Sequence, residues 1–199
     1  MFPDGQNIVI PDADSLATAA RKATKRGPAP VHLWNPPFCG DLDMVIKRDG
    51  TWLYLGTPIG RAPLVRLFAS ILRKDGEDYF LVTPGEKVGI TVEDAPFVAV
   101  DFTLSGTGRA QSLTFVTNVE DTATAGPDHP VRIVRDPDTN EPAPYILIRA
   151  NLEALIDRKS FYRLIDACEI TDHDGQPWFG LWSGGVFFPI CPEADLFAD

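Results

Sequence analysis

Paired cysteines, basic charge, histidine clusters and long apolar runs are what this chain is short of, and each shortage closes a class of function. Its three cysteines, Cys39, Cys168 and Cys191, are odd in number and scattered. Without a C-x-x-C pair they write neither a disulfide framework nor a zinc site, so buried free thiols are expected. The three histidines, His32, His129 and His173, show no metal-type spacing, and no cofactor is announced. No stretch approaches the roughly 20 uninterrupted apolar residues that a bilayer helix needs. The opening "MFPDGQNIVIPDADSL" lacks the basic-then-apolar order of a secretory leader, so a cytoplasmic protein is expected. Lysine and arginine number 18 against 28 acids, a net charge of -10. Such a surface repels phosphate backbones and anionic headgroups, which argues against nucleic acid or membrane as partner.

What is present suits folding. The chain is 44% hydrophobic and 23% charged over 199 residues, enough for two small domains. "DSLATAARKATKR" predicts a helix over 14–26 with an acidic start, a basic last turn and a Gly27-Pro28 stop. Four prolines between 28 and 37 hold the next segment extended. Asp49-Gly50 between "DMVIK" and "TWLYLG" predicts a hairpin. Pro63 then opens a helix expected over 62–74, whose stripe is Leu64, Leu67, Phe68, Ile71 and Leu72. Further hairpins are expected around Thr83-Pro84-Gly85, around "SGTGRA" and around "DPDTNEP".

"GRAPLVRLF" at 60–68 is echoed by "DRKSFYRLI" at 157–165, with Arg61/Arg158, Arg66/Arg163 and Leu67/Leu164 identical. Asp75-Gly76 and "YFLV" recur as Asp174-Gly175 and "WFGLW". A repeat at an offset of 97 to 99 therefore aligns a helix at 62–74 with one at 159–168. The expected fold is α+β: two similar repeats, each a barrel-like, strongly curved antiparallel sheet wrapped around one short helix, plus an N-terminal helix. The expected organisation is helix and linker over 1–30, a first repeat over 31–94, a second over 95–191 and an acidic tail over 192–199. Arg66 and Arg163 should point away from their own sheets. Phe187 and Phe188 are adjacent and should face opposite ways, so the last hairpin is a candidate surface for a homo-oligomer.

Few constellations suggest chemistry. Asp41 and Asp43 are two apart and share one face of a strand, as a hard cation or an acid/base pair would require. They are the basis of an alternative reading as a metal-dependent hydrolase. "DPDTNE" begins like a calcium loop but has Glu141 where that loop needs glycine. "SGTGR" lacks the Gly-Lys-Ser/Thr ending of a phosphate loop and reads as a turn. Arg61 and Arg158, at the two helix starts, suit pairing with carboxylates or with an anionic ligand.

The pattern Gly40-Asp41-x-Asp43, Asp49-Gly50-x-Trp52, Pro58-Ile59-x-Arg61, Leu64-Val65-x-Leu67-Phe68, Thr83-Pro84-x-Glu86-Lys87 and Glu93-Asp94-x-Pro96-Phe97 resembles the bacterial family called domain of unknown function 1285. "FVTN" ending at Asn118, "PYILIR" ending at Arg149 and "FYRL" extend the resemblance over about Val31 to Ile190. It implies a bacterial protein with no catalytic residues to carry over and a regulatory or signal-transduction role in preference to catalysis. The candidate ligand-binding positions are Asp41, Asp43, Arg61, Glu86, Lys87, Asn118, Arg149 and Arg158. The expectation is a non-catalytic module binding a small molecule or protein in a groove between the repeats; a self-associating structural protein is the other alternative.

Overall fold

The structure is a computed structural model that describes residues 12–24, 29–139 and 141–197. The expected end of the first helix at Arg26, its Gly27-Pro28 stop, Asn140 of the calcium-like loop and the last two residues of the acidic tail lie outside them. Two compact units result, one of residues 1–47 and 51–93, the other of residues 48–50 and 94–199.

In the first unit, helix α1 (Ala13–Ala23) starts one residue earlier than expected, because Asp12 is the N-cap and accepts from the amides of Asp14 and Ser15. Its buried face is Ala13, Leu16, Ala17 and Ala20. A short 3-10 turn, Val31–Leu33, interrupts the proline-rich segment. Strands β1 (Phe38–Ile46), β2 (Trp52–Tyr54) and β3 (Thr57–Pro58) lead into helix α2 (Ala62–Ser70). Strands β4 (Leu72–Asp75), β5 (Asp78–Val82) and β6 (Lys87–Val92) follow. Helix α2 ends four residues short of expectation. Leu72 opens β4, and Asp75-Gly76 is a hairpin turn to β5 instead of a helix stop. Phe68 of α2 is fully buried and stacks on Trp52 at 6.5 Å between ring centres. Leu64 and Leu67 are only half-buried.

The second unit contains β7 (Phe97–Ser105), β8 (Ser112–Thr117), β9 (Thr122–Thr124), β10 (Val131–Arg135), β11 (Pro142–Arg149) and β12 (Leu152–Ile156). Helix α3 (Arg158–Ile165) comes next, capped by the Asp157 carboxylate on the Ser160 amide at 2.7 Å. Cys168, the last residue of the helix expected over 159–168, falls beyond its end. Strands β13 (Glu169–His173), β14 (Gln176–Ser183) and β15 (Val186–Pro192) form a separate antiparallel sheet.

The two six-stranded sheets are the repeat. Their orders are β3-β2-β1-β6-β5-β4 and, read from the far edge, β9-β8-β7-β12-β11-β10. Each consists of two antiparallel meanders joined by one parallel pair of inner strands, β1 with β6 and β7 with β12. Each sheet is curled and is accompanied by one short helix. The equivalence therefore runs from β1–β6 to β7–β12, a shift of 59 positions between Phe38 and Phe97, not of 97 to 99. Helix α2 joins the two meanders of its sheet, whereas α3 leaves its sheet for β13–β15. The local echo of helix, strand, Asp-Gly turn and strand is real. It matches helices at different points of the two repeats, because periodicity reports local conformation and not which distant strands pair.

The face expectations are met unevenly. Arg163 does not point away from its sheet: its guanidinium pairs with Asp101 of β7 and covers the Phe102 ring at 4.6 Å. Phe187 and Phe188 do lie on opposite faces, yet both are buried. The ring of Phe187 lies over Gly180, where a Cβ would stand 2.7 Å from Cζ, and is flanked by His173 and Trp182. The apolar surface expected of that hairpin is thus covered by its own sheet.

The third sheet is tied to the second by a buried serine. Ser183, with no exposed surface, donates to the Ala125 carbonyl at 2.7 Å and accepts from the Leu113 amide at 2.9 Å. Gln111 adds a bond to the Trp182 carbonyl at 2.9 Å. Among the described residues, no helix is long and apolar enough to cross a membrane.

Candidate functional site

A hollow that combines an apolar lining with charged groups lies beside α3. Tyr145 of β11 is opposite Leu155 of β12, and β12 ends at Ile156. Pro142 and Ala143 at the start of β11 therefore have β10 on one side and, among the described residues, no strand on the other. Proline lacks the amide that a neighbouring strand would need, and α3 follows directly on β12. A cavity of ≈ 340 Å³ results, floored by Ala143, Pro144, Leu155 and Phe161 and rimmed by Arg48, Glu141, Arg158 and Tyr162.

Its two arginines differ in their commitments. Arg48 pairs with Asp94 at 3.1 Å, and the same carboxylate accepts from the Tyr145 hydroxyl at 2.8 Å. Burial first, and then Asp94, push the Tyr145 hydroxyl up to about 12. On the other side of that ring Arg132 stacks at 4.5 Å and grips Glu153 through two 2.6 Å bonds. Arg158 stacks on Tyr162 and donates to its hydroxyl at 3.1 Å. Among the described residues, no carboxylate stands within ion-pair distance of Arg158.

Asp41, Asp43, Arg61, Glu86 and Lys87 lie in the first unit and Asn118, Arg149 and Arg158 in the second; within each unit they do not share one hollow, although Asp41 and Lys87 do. Asp41 and Asp43 share the exposed face of β1, with Leu42 and Met44 buried between and beyond them. Asp41 lies flat over Gly89, so closely that a Cβ there would stand 2.1 Å from Oδ1. It lines a hollow of ≈ 370 Å³ with Phe38, Phe80 and Lys87; Asp43 does not. Lys87 is already engaged, 4.2 Å from the centre of the Phe80 ring and 3.3 Å from Asp75. Burial raises the Asp75 carboxyl, but Arg73 and Lys87 outweigh it and hold it below the usual range.

Glu86 lies in another hollow with Lys22, Cys39 and Thr83, its carboxyl raised by burial and by the charge of Asp12. Arg61 sits exposed at the start of α2, near Arg21. Asn118 and Arg149 are clamps. Asn118 accepts from the Val98 amide at 3.0 Å and donates to the Gly50 carbonyl at 3.2 Å. Arg149 pairs with Asp121 and covers Phe97 at 4.9 Å. Only Arg158 belongs to the α3 cavity. Sequence reasoning did not place Arg48, Glu141 or Tyr162 in a site, although Pro142 in the expected loop and Pro144 in the expected strand flank the gap they surround. Among the described residues, no group of three metal-binding side chains occurs.

These features define a class: a two-domain α+β protein built on a duplicated six-stranded sheet, with hollows but no assembled metal-ligand group among the described residues. The match to known proteins is narrower. Residues 29–95 match the domain of unknown function DUF1285, N-terminal domain, and residues 96–190 match the DUF1285 C-terminal domain. The chain belongs to the DUF1285 family. It is similar to a DUF1285 family protein of Silicibacter pomeroyi DSS-3, with 60% identity, 92% of this chain and 98% of that one covered, and a TM-score of 0.84. It is also similar to one of Shewanella baltica OS155, at 30% identity over 63% of this chain and 92% of that one, with a TM-score of 0.50. No curated protein matches it.

Proposed function

We propose that the chain is a non-catalytic, cytoplasmic binding module with a regulatory or signal-transduction role, and that its ligand is a small amphipathic anion seated in the α3 cavity. The observation that carries this reading is the meeting, in one hollow, of an apolar floor with the Arg158 guanidinium, which has no carboxylate partner among the described residues. Ligand sites are typically apolar clefts with a few convergent polar groups, and a guanidinium is a planar fork suited to carboxylate or phosphate. On a chain of net charge -10, the rim offers Arg158 and an Arg48 paired with Asp94 against the single acid Glu141, a balance that admits an anion. The lining holds no serine, cysteine, histidine or lysine, which favours binding over turnover. A small molecule, and not nucleic acid or a membrane, is the partner this implies.

The test is thermal unfolding with phenylacetate and its neutral amide at millimolar concentration. A ligand of the native state must raise stability. Phenylacetate should raise Tm, the amide should do so far less, and Arg158→Ala should abolish the difference. An equal response to both compounds, no response, or an undiminished response in Arg158→Ala would overturn the proposal.

A further inference from the structure

We infer that the open edge of strand β13 is a docking site for a basic, extended protein segment, which joins the third sheet as an added strand. An edge strand carries a row of unpaired amides and carbonyls, and folded proteins normally blunt such rows with short strands, proline, lysine or arginine, or a covering element. Every other sheet edge here is treated in one of these ways. Strand β3 is two residues long and includes Pro58; β9 is three residues. Strand β4 carries Arg73, whose guanidinium binds the Val31 and Trp34 carbonyls of the covering segment. Strand β10 carries Arg132 and Arg135. Strand β15 contains Pro189 and Pro192 and lies against β10.

Strand β13 has no proline, lysine or arginine and, among the described residues, no covering element; the charges on its edge are acidic. It runs five residues, Glu169–His173, hydrogen-bonded to β14 alone. It exposes Ile170, 48% accessible, as an apolar side chain that an added strand would cover. Its charge selects the occupant. From Leu164 to the end, 36 positions hold five aspartates and two glutamates and neither lysine nor arginine. Glu169 and Asp172 stand exposed on β13 itself. A second copy of this chain brings the same acid-rich segment, free of lysine and arginine, to the edge, so like charge opposes self-association whereas a basic segment is attracted. Glu169 and Asp172 lie on opposite faces of β13, so a segment alternating lysine with β-branched residues that covers Ile170 with an apolar side chain sets its lysines on the face of Glu169, while its backbone completes the ladder. Strand addition draws affinity from main-chain bonds and specificity from alternate side chains.

The experiment uses the full chain and three short labelled peptides: a lysine–valine repeat, a glutamate–valine repeat and a lysine–proline repeat. Lysine–proline has the same charge as lysine–valine, but it lacks every second amide and its rings hold the chain in a polyproline conformation that does not fit the ladder. Fluorescence anisotropy at near-physiological salt should show lysine–valine binding at least about tenfold more tightly than either other peptide. Saturating lysine–valine should slow amide exchange across residues 169–173. In the double variant Glu169→Lys/Asp172→Asn, where asparagine keeps an acceptor for the Gly175 amide that Asp172 now holds at 3.3 Å, affinity for lysine–valine should fall about tenfold. Equal binding of lysine–proline would reduce the effect to bulk charge and overturn the inference. So would protection confined to other segments, or unchanged affinity in the double variant.

Discussion

Replacing Ser183 by alanine isolates what a buried hydroxyl contributes where two sheets meet. The Ser183 hydroxyl satisfies the Leu113 amide and the Ala125 carbonyl at once, with no solvent access. The substitution removes one oxygen and opens almost no cavity, so the cost is the desolvation of two backbone groups left without partners. At about 1–3 kcal/mol for each unsatisfied buried group, with partial relaxation of the 125–126 turn, a loss of roughly 2–4 kcal/mol is expected. For a chain of this size that corresponds to a fall in Tm of roughly 4–16 °C. Urea unfolding followed by tryptophan fluorescence reads it directly, since Trp178 and Trp182 lie on the same strand as Ser183. Thr114→Ala is the control: its hydroxyl meets that of Thr124 at 2.8 Å, but in an exposed position where water replaces the bond, and its loss should stay below about 0.5 kcal/mol. A Ser183→Ala loss no larger than that of the control would refute the reasoning that this hydroxyl is the seam between the sheets.

Phe68→Ala, which empties the fully buried site stacked on Trp52, should cost about 3–5 kcal/mol in chemical denaturation. Two glycine substitutions should separate sharply. At Gly180 a Cβ meets the Phe188 carbonyl oxygen at 2.4 Å, whereas at Gly89 it meets the movable carboxylate end of Asp41. Gly180→Ala should therefore lose at least about 2 kcal/mol and Gly89→Ala well under half as much; comparable losses would contradict the packing. In alkali, the Tyr145 hydroxyl raised from 10.0 to about 12 contributes stability that is complete below pH 10.0 and is lost as pH rises towards about 12. Unfolding free energies of Tyr145→Phe should fall less steeply across that window than those of the parent.

The parts of the fold legible in the sequence are those governed by neighbours along the chain. Asp49-Gly50 marks the hairpin turn expected of it, whereas Asp75-Gly76 and Asp174-Gly175, read as a helix stop and its echo, are hairpin turns as well; glycines 50, 76 and 175 adopt positive φ there. The aromatic and β-branched runs beside them are strands. The joins between distant strands were not legible. Val45 pairs with Thr91 and Ile156 with Ala99, and no local pattern distinguishes those partners from the other open edges. The same limit hid the candidate site. Arg158 was marked by the echo of Arg61, but the hollow beside it depends on where β12 stops relative to β11. Asn118 and Arg149 stood out through the family pattern, and their positions serve the fold: one pins the Gly50 carbonyl, the other closes over Phe97.

The parallel pair at the centre of each sheet has a mechanical consequence. In the first unit the strand that opens the sheet, β1, lies beside the strand that closes it, β6, and both run the same way; β7 and β12 do likewise in the second. Tension applied between the start of the first strand and the end of the last slides the two past each other along their length. The slanted, evenly spaced bonds of a parallel ladder are then loaded together instead of being opened one by one from an end. Each repeat is built to resist being drawn out by its own termini, in the way a lap joint resists pull, while the outer hairpins, attached at one side only, peel.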